Sequence, residues 1–145
     1  MSWPAMETAL IAMITAAVPA GVRVMTVDDV ADIQDKSQFA PSVQILYKGF
    51  SVKKTATSND QAKVSHLFDV AVCMRSAAQQ GGNGTARTSA LALAETVTRR
   101  LMGATLPGAQ TDSVSLVGAS APVAAAGFVY APVSFEVGAV LTSAN

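Results

Sequence analysis

The chain has 145 residues, half of them hydrophobic and only 14% charged, with ten basic and ten acidic side chains and a formal net charge of zero. That length encloses a core without metal or disulfide staples, and a lone cysteine forms no internal disulfide. The balanced charge argues against tight nucleic-acid binding, which draws its affinity from neutralised phosphates.

An average soluble domain carries roughly 25% charged residues. So apolar a chain, with so few, predicts that part of its surface meets another protein. The apolar run Ala9–Val18 follows Glu7, and the first basic side chain is Arg23. It lacks the positive n-region of a signal peptide and is shorter than the roughly 20 residues that span a bilayer. A soluble, cytoplasmic chain is the expectation.

Ser2-Trp3-Pro4 reads as a helix start, a capping hydroxyl followed by proline in the first turn, where its missing N–H costs nothing. The helix should run to about Val18, where Pro19 and Gly21 stop it. Met6, Leu10, Ile11, Met13, Ile14 and Val18 occupy most of its circumference, leaving a thin polar stripe at Glu7, Thr8 and Thr15. A helix this apolar is expected to be buried on more than one side, with a neighbouring subunit as the second cover.

Val22–Val27 is a short β-rich run. Residues 28–36 place Asp28, Asp29, Asp32 and Asp35 around Val30 and Ile33, as an exposed acidic turn or a short helix. Pro41 introduces a strand in which Val43, Ile45 and Tyr47 share one face. At Gly49 the alternation slips, so that Phe50 and Val52 become the apolar pair, which predicts a bulge or sharp bend. The polar run Lys53–Gln61, with Asn59-Asp60, suits the tip of a long hairpin whose return strand spans about Ala62–Met74.

Gln79–Gly84 reads as a loop leading into a second helix, Thr85–Met102. Its apolar stripe is Ala86, Ala90, Leu93, Val97 and Leu101, with Glu95 and Arg99 spaced for an i,i+4 pair and Gly103 as C-cap. Val114 and Leu116 alternate with Ser113 and Ser115. A loop, GASAPVAAAG, then leads to the final strand Phe128–Leu141, where Pro132 predicts an edge or bulged position. The order α-β-β-β-α-β-β implies an α+β fold over residues 1–145 as one domain, a mostly antiparallel sheet with a long hairpin and both helices on one face.

The stretch HLFDVAVCMR (66–75) holds the only histidine and the only cysteine. Alternation puts His66 with Phe68, Val70, Val72 and Met74, and Cys73 on the other face with Leu67, Asp69, Ala71 and Arg75. Seven residues at about 3.3 Å each separate the two by roughly 23 Å. No Cys/His nucleophile pair or shared metal site follows. The second face, mixed in polarity, suits a neighbouring subunit or partial solvent.

GGNGTAR (81–87) sits between a strand and a helix, where phosphate loops occur. It lacks the Lys-Ser/Thr of a P-loop, and Arg87 stands at the third glycine position of a dinucleotide loop. Asp28, Asp29, Asp32 and Asp35 lack the spacing and closing Glu of an EF-hand. Acid is concentrated in 28–35, whereas Lys48, Lys53, Lys54 and Lys63 cluster on the hairpin. A neutral subunit with separated poles can pair head-to-tail with its copies, and a closing rotation makes a ring.

ADIQDKSQFAPSVQILYKGF (31–50) resembles the tail terminator, or tail completion, proteins of long-tailed bacteriophages. The shared features are the acidic approach, Lys36-Ser37-Gln38, Pro41 and a strand ending Tyr47-Lys48-Gly49. The order of elements is similar along most of the chain. The resemblance implies a structural virion protein with no catalytic residue, cofactor or metal, forming a hexameric ring on the last ring of the tail tube. Such a ring ends tail polymerisation and joins the tail to the neck and head. Its implied partners are its own copies, the tail-tube protein, a sheath where the tail has one, and a neck or head-completion protein.

DNA would pass through the lumen unread, with no membrane involved. The location implied is the head-proximal end of the tail, after assembly in the host cytoplasm. Asp28, Asp29, Asp32, Asp35, Lys53 and Lys54 are the candidate subunit or tube contacts. The alternatives are another neck or head-completion ring protein, a small enzyme, and a secreted β-rich binding module.

Overall fold

In a computed structural model, residues 3–26, 41–75, 85–106, 111–125 and 127–144 are described. Their elements are α1 (Trp3–Ala17), β1 (Arg23–Thr26), β2 (Ser42–Thr55), β3 (Gln61–Arg75), α2 (Thr85–Leu101), β4 (Thr111–Ala119), β5 (Val123–Ala125) and β6 (Phe128–Thr142). The described strands form one six-stranded sheet in the order β1-β2-β3-β6-β4, with β5 on β6. Only the β1–β2 pair is parallel. The fold is α+β, as the periodicity predicts.

Both helices pack on one face of the sheet. Met6, Leu10 and Ile14 of α1 and Ala90, Leu93, Ala94, Val97 and Leu101 of α2 share one core with the same-face residues of the strands, among them Val43, Ile45, Phe68, Val70, Val72, Phe135 and Val137. Phe68 and Phe135, cross-strand partners, are the largest fully buried side chains. Each contributes roughly 1.5–3 kcal/mol by leaving water.

The circumference of α1 is mostly absorbed within the chain. Ile11, Met13 and Val18 pack as flanks on the same core, and the exposed side carries Thr8, Ala12, Thr15 and Ala16. The hydroxyls of Thr8 and Thr15 donate back to the carbonyls of Pro4 and Ile11. The outward face is small and locally satisfied, so the helix itself demands no second apolar cover.

The hairpin is longer than the apolar pattern suggests, because β2 continues through the polar Lys53, Lys54 and Thr55. Gly49, at φ +94°, sits in a register shift between Tyr47 and Phe50. The slip in alternation is thus a bulge, built on a conformation that costs side-chain-bearing residues energy. The turn closes with Asn59 at φ +60° and its N–H on the Ala56 carbonyl. Past β6, the Ser143 N–H bonds the Asp60 carbonyl at 2.7 Å, tying the chain's end to the hairpin tip.

Two expectations need correction. The stretch read as a loop before the final strand contains β5, three residues pairing with Phe128–Tyr130. Pro132 lies in β6, an interior strand, rather than at a sheet edge or in a register shift. It stands opposite Ala71 of β3, between Val133, where β4 pairs, and Tyr130, where β5 pairs. Proline is accommodated at the changeover between two partner strands, where the ladder on that side is interrupted.

Gly103 ends α2 at φ +68°. Its N–H bonds the Val114 carbonyl, and the Val114 N–H bonds the Ala104 carbonyl, both at 2.8 Å. The helix end is thereby stitched to β4. The Glu95–Arg99 pair forms at 2.8 Å on the exposed side.

Candidate assembly surface

Beyond Phe50, whose ring meets Trp3 of α1, the outer end of β2 stands exposed. On β2, every residue from Phe50 to Thr55 is exposed, whereas Ser42, Val43 and Ile45 at its other end are buried. Lys53 and Lys54 both lie on this uncovered stretch. Lys54 is the direct cross-strand partner of Lys63. Like charges placed opposite each other destabilise a strand pair. The two lysines rim a shallow depression of about 210 Å³ floored by Ala56, Ala62 and Val140. Asp28, Asp29, Asp32 and Asp35, the acidic half of the predicted contact set, lie outside the described residues, as does the Gln79–Gly84 loop.

Below the arm, the face without helices is polar and its charges are engaged. Lys48 bridges Asp69 at 3.4 Å, Ser134 donates to Asp69 at 2.7 Å, and Ser65 donates to Glu136 at 3.1 Å. At the far end of the same face Cys73 is fully buried with Met25 and Phe128, and Tyr130 packs alongside. That end is therefore closed within the chain, not left for a neighbour or for water. Burial pushes the Cys73 thiol above its ordinary range, partly offset by hydrogen bonds from the Tyr130 and Ser42 side chains. A thiol held protonated in this way is a poor nucleophile.

His66 is on the helix-bearing face, fully buried and opposite to Cys73, as alternation requires. It belongs to an aromatic cluster that periodicity did not reveal. Trp3 from the first turn of α1 stands edge-on to His66 at 5.4 Å and to Phe50 at 5.0 Å, and Phe50 edge-on to His66 at 5.6 Å. Tyr47 Oη and His66 Nδ1 are hydrogen-bonded at 2.8 Å, while Nε2 has no partner among the described residues. Burial lowers the imidazole's pKa and raises that of the Tyr47 phenol. The one hint in the sequence was the Gly49 bulge, which returns Phe50 to the face of Tyr47.

This cluster locks α1 onto the hairpin, and its histidine is fully buried. Among the described residues no group of three or more His, Cys, Asp or Glu side chains could hold a metal ion. No described helix is long and apolar enough to cross a membrane.

A helix-backed sheet with a bare, charged arm defines a protein whose distinctive chemistry lies on a surface. The chain belongs to the phage tail terminator protein family, whose model matches residues 1–145, and is a structural component of the phage tail. Among solved structures it is similar to a chain in the virion of a native gene transfer agent (GTA) particle. That match has a TM-score of 0.51 and 18% identity, and covers 89% of this chain and 82% of that one. At this identity the likeness shows the fold. No curated protein sequence matches the chain.

Proposed function

We propose that residues 1–145 act as one domain whose copies join head-to-tail into a closed ring of six that caps the tail tube, ends its polymerisation and joins the tail to the neck and head. The observation that carries this reading is the uncovered hairpin arm. Four of the chain's five lysines stand on residues 48–63, and four of its ten acidic residues fall in 28–35. A neutral subunit with such poles attracts its copies without accumulating charge. Asp28, Asp29, Asp32 and Asp35 face Lys53 and Lys54 of the next copy, or the lysines meet the last ring of the tube.

The helix-free face below the arm is the wall we assign to the lumen. Its Lys48, Asp69 and Glu136 are already engaged with neighbours, and a balanced wall lets phosphates slide where a basic one would hold them. The subunit itself performs no catalysis.

Sedimentation of the purified chain and of Lys53→Glu/Lys54→Glu tests the ring. The wild type should sediment as one closed oligomer. The double variant should shift toward monomer, and high salt should weaken the wild type in the same direction. Cryo-electron microscopy of the assembled particle should find the ring between tube and neck. A wild type that stays monomeric at micromolar concentration, with no ring in the particle, overturns the reading. A ring seated elsewhere in the neck favours a head-completion role.

A further inference from the structure

The two margins of the sheet match each other. β1 covers only Ser42–Ile45 of β2, so from Leu46 to Thr55 the outer edge of β2 has no strand partner among the described residues. At the opposite margin, β4 pairs only with β6 among the described residues. These open edges lie at the same height. Thr111 of β4 is level, through Ala139 and Val64, with Val52 of β2; Ala119 is level, through Val133 and Val70, with Ile45.

Their directions also match. β2, β3, β6 and β4 alternate strictly, so a β4 brought beside a neighbour's β2 with the helices on the same side runs antiparallel to it. Each edge carries large apolar side chains left half-exposed. On the helix-bearing face these are Phe50 and Val52 of β2 and Leu116 of β4, at 41%, 57% and 42% exposure. Leu46, on the other face, is 41% exposed, and Val117, in a register shift of β4, 55%. An open edge bearing apolar residues is a template for another strand, and proteins that remain single normally blunt it.

We infer that the outer edge of β2, from Leu46 to about Val52, pairs with β4 of a second copy of this chain, so that the sheet continues from subunit to subunit. The junction is heterologous, as head-to-tail closure requires. It rests on the ring reading above and supplies its main adhesive contact. On the helix side Phe50 is level with Val114 of the neighbour and two rows from its Leu116, which is level with Tyr47; on the other face Leu46 meets Val117.

The test uses the full-length chain in a Cys73→Ser background. Leu46→Cys/Val117→Cys and Phe50→Cys/Leu116→Cys are treated with a flexible bis-maleimide and run on denaturing gels. Both should give a ladder ending at the closed ring, while each single cysteine should give none beyond background. Leu46→Lys and Val117→Lys, separately, should raise the concentration for half-assembly by about tenfold or more with circular dichroism unchanged.

A ring that persists in both lysine variants and yields no ladder from either cysteine pair overturns the edge junction while leaving the ring itself standing. A wild type that never oligomerises removes both. Should a lysine variant unfold, the cysteine ladders decide alone.

Discussion

Replacing Tyr47 with Phe removes one oxygen, the only hydrogen-bond partner of a fully buried histidine among the described residues. His66 Nε2 is already without a partner among the described residues. After the substitution neither ring nitrogen has one, and the cost is that of leaving a buried polar group unpaired, about 1–3 kcal/mol. For a chain of this length that is roughly 3–10 °C in Tm. The ring packing of Tyr47 against Phe68 and Trp3 is kept, so the loss isolates the hydroxyl.

The double variant Tyr47→Phe/His66→Leu removes both polar partners and should recover most of the loss, giving a coupling above about 0.5 kcal/mol. Urea denaturation at one fixed protein concentration measures all four chains, since oligomerisation would otherwise shift the midpoints. The wild type also carries a pH signature. Burial holds the folded-state pKa of His66 below its ordinary 6.5, so below pH 6.5 the unfolded chain binds the extra proton. Stability is therefore full above 6.5 and is lost as pH falls toward the folded-state value. His66→Leu should flatten that slope. A Tyr47→Phe chain within about 0.5 kcal/mol of wild type, or a double variant whose losses simply add, refutes the account of the cluster.

Three further outcomes follow from the geometry. Gly49→Ala meets no atom within 4 Å at the new Cβ, so its cost is the left-handed backbone alone, about 1–2 kcal/mol by thermal melt. Val72→Asp places an unpaired carboxylate at a fully buried position between the helices and the sheet. It should cost several kcal/mol and leave the chain insoluble or unfolded on expression. Cys73→Ser keeps a hydroxyl for Ser42 and Tyr130; it should lower stability by about 1 kcal/mol and leave the assembled mass unchanged.

Sequence periodicity carried furthest where one face of an element is buried. The alternation along β3 placed His66 and Cys73 on opposite faces, and the slip at Gly49 located the bulge, because register is strongly specified against a core. The α2 stripe was legible for the same reason. What stayed hidden depends on partners distant in sequence. β5 is three residues of small side chains, too short for a period, and exists because β6 offers a free margin there. Pro132 reads as an edge residue until β4 and β5 are seen to share one side of its strand. The aromatic cluster gathers Trp3, Tyr47, Phe50 and His66 from three elements, which no local window contains. Of the predicted contacts, Lys53 and Lys54 were legible as an exposed polar run, but the length of the bare arm was not, since polar residues give no strand signal.

β3 and β6 pair without a slip over fifteen residues, from Gln61 opposite Thr142 to Arg75 opposite Phe128. In an antiparallel pair the ladder bonds lie across the strands. A pull along the strand axis therefore strains the whole ladder in shear, whereas a pull at one end would open it bond by bond. The chain's end is also fastened to the hairpin tip, through Ser143 and Asp60. The subunit's backbone is thus a stiff spar along one direction and a peelable one along the other, and mechanical load is borne best when it runs parallel to β3.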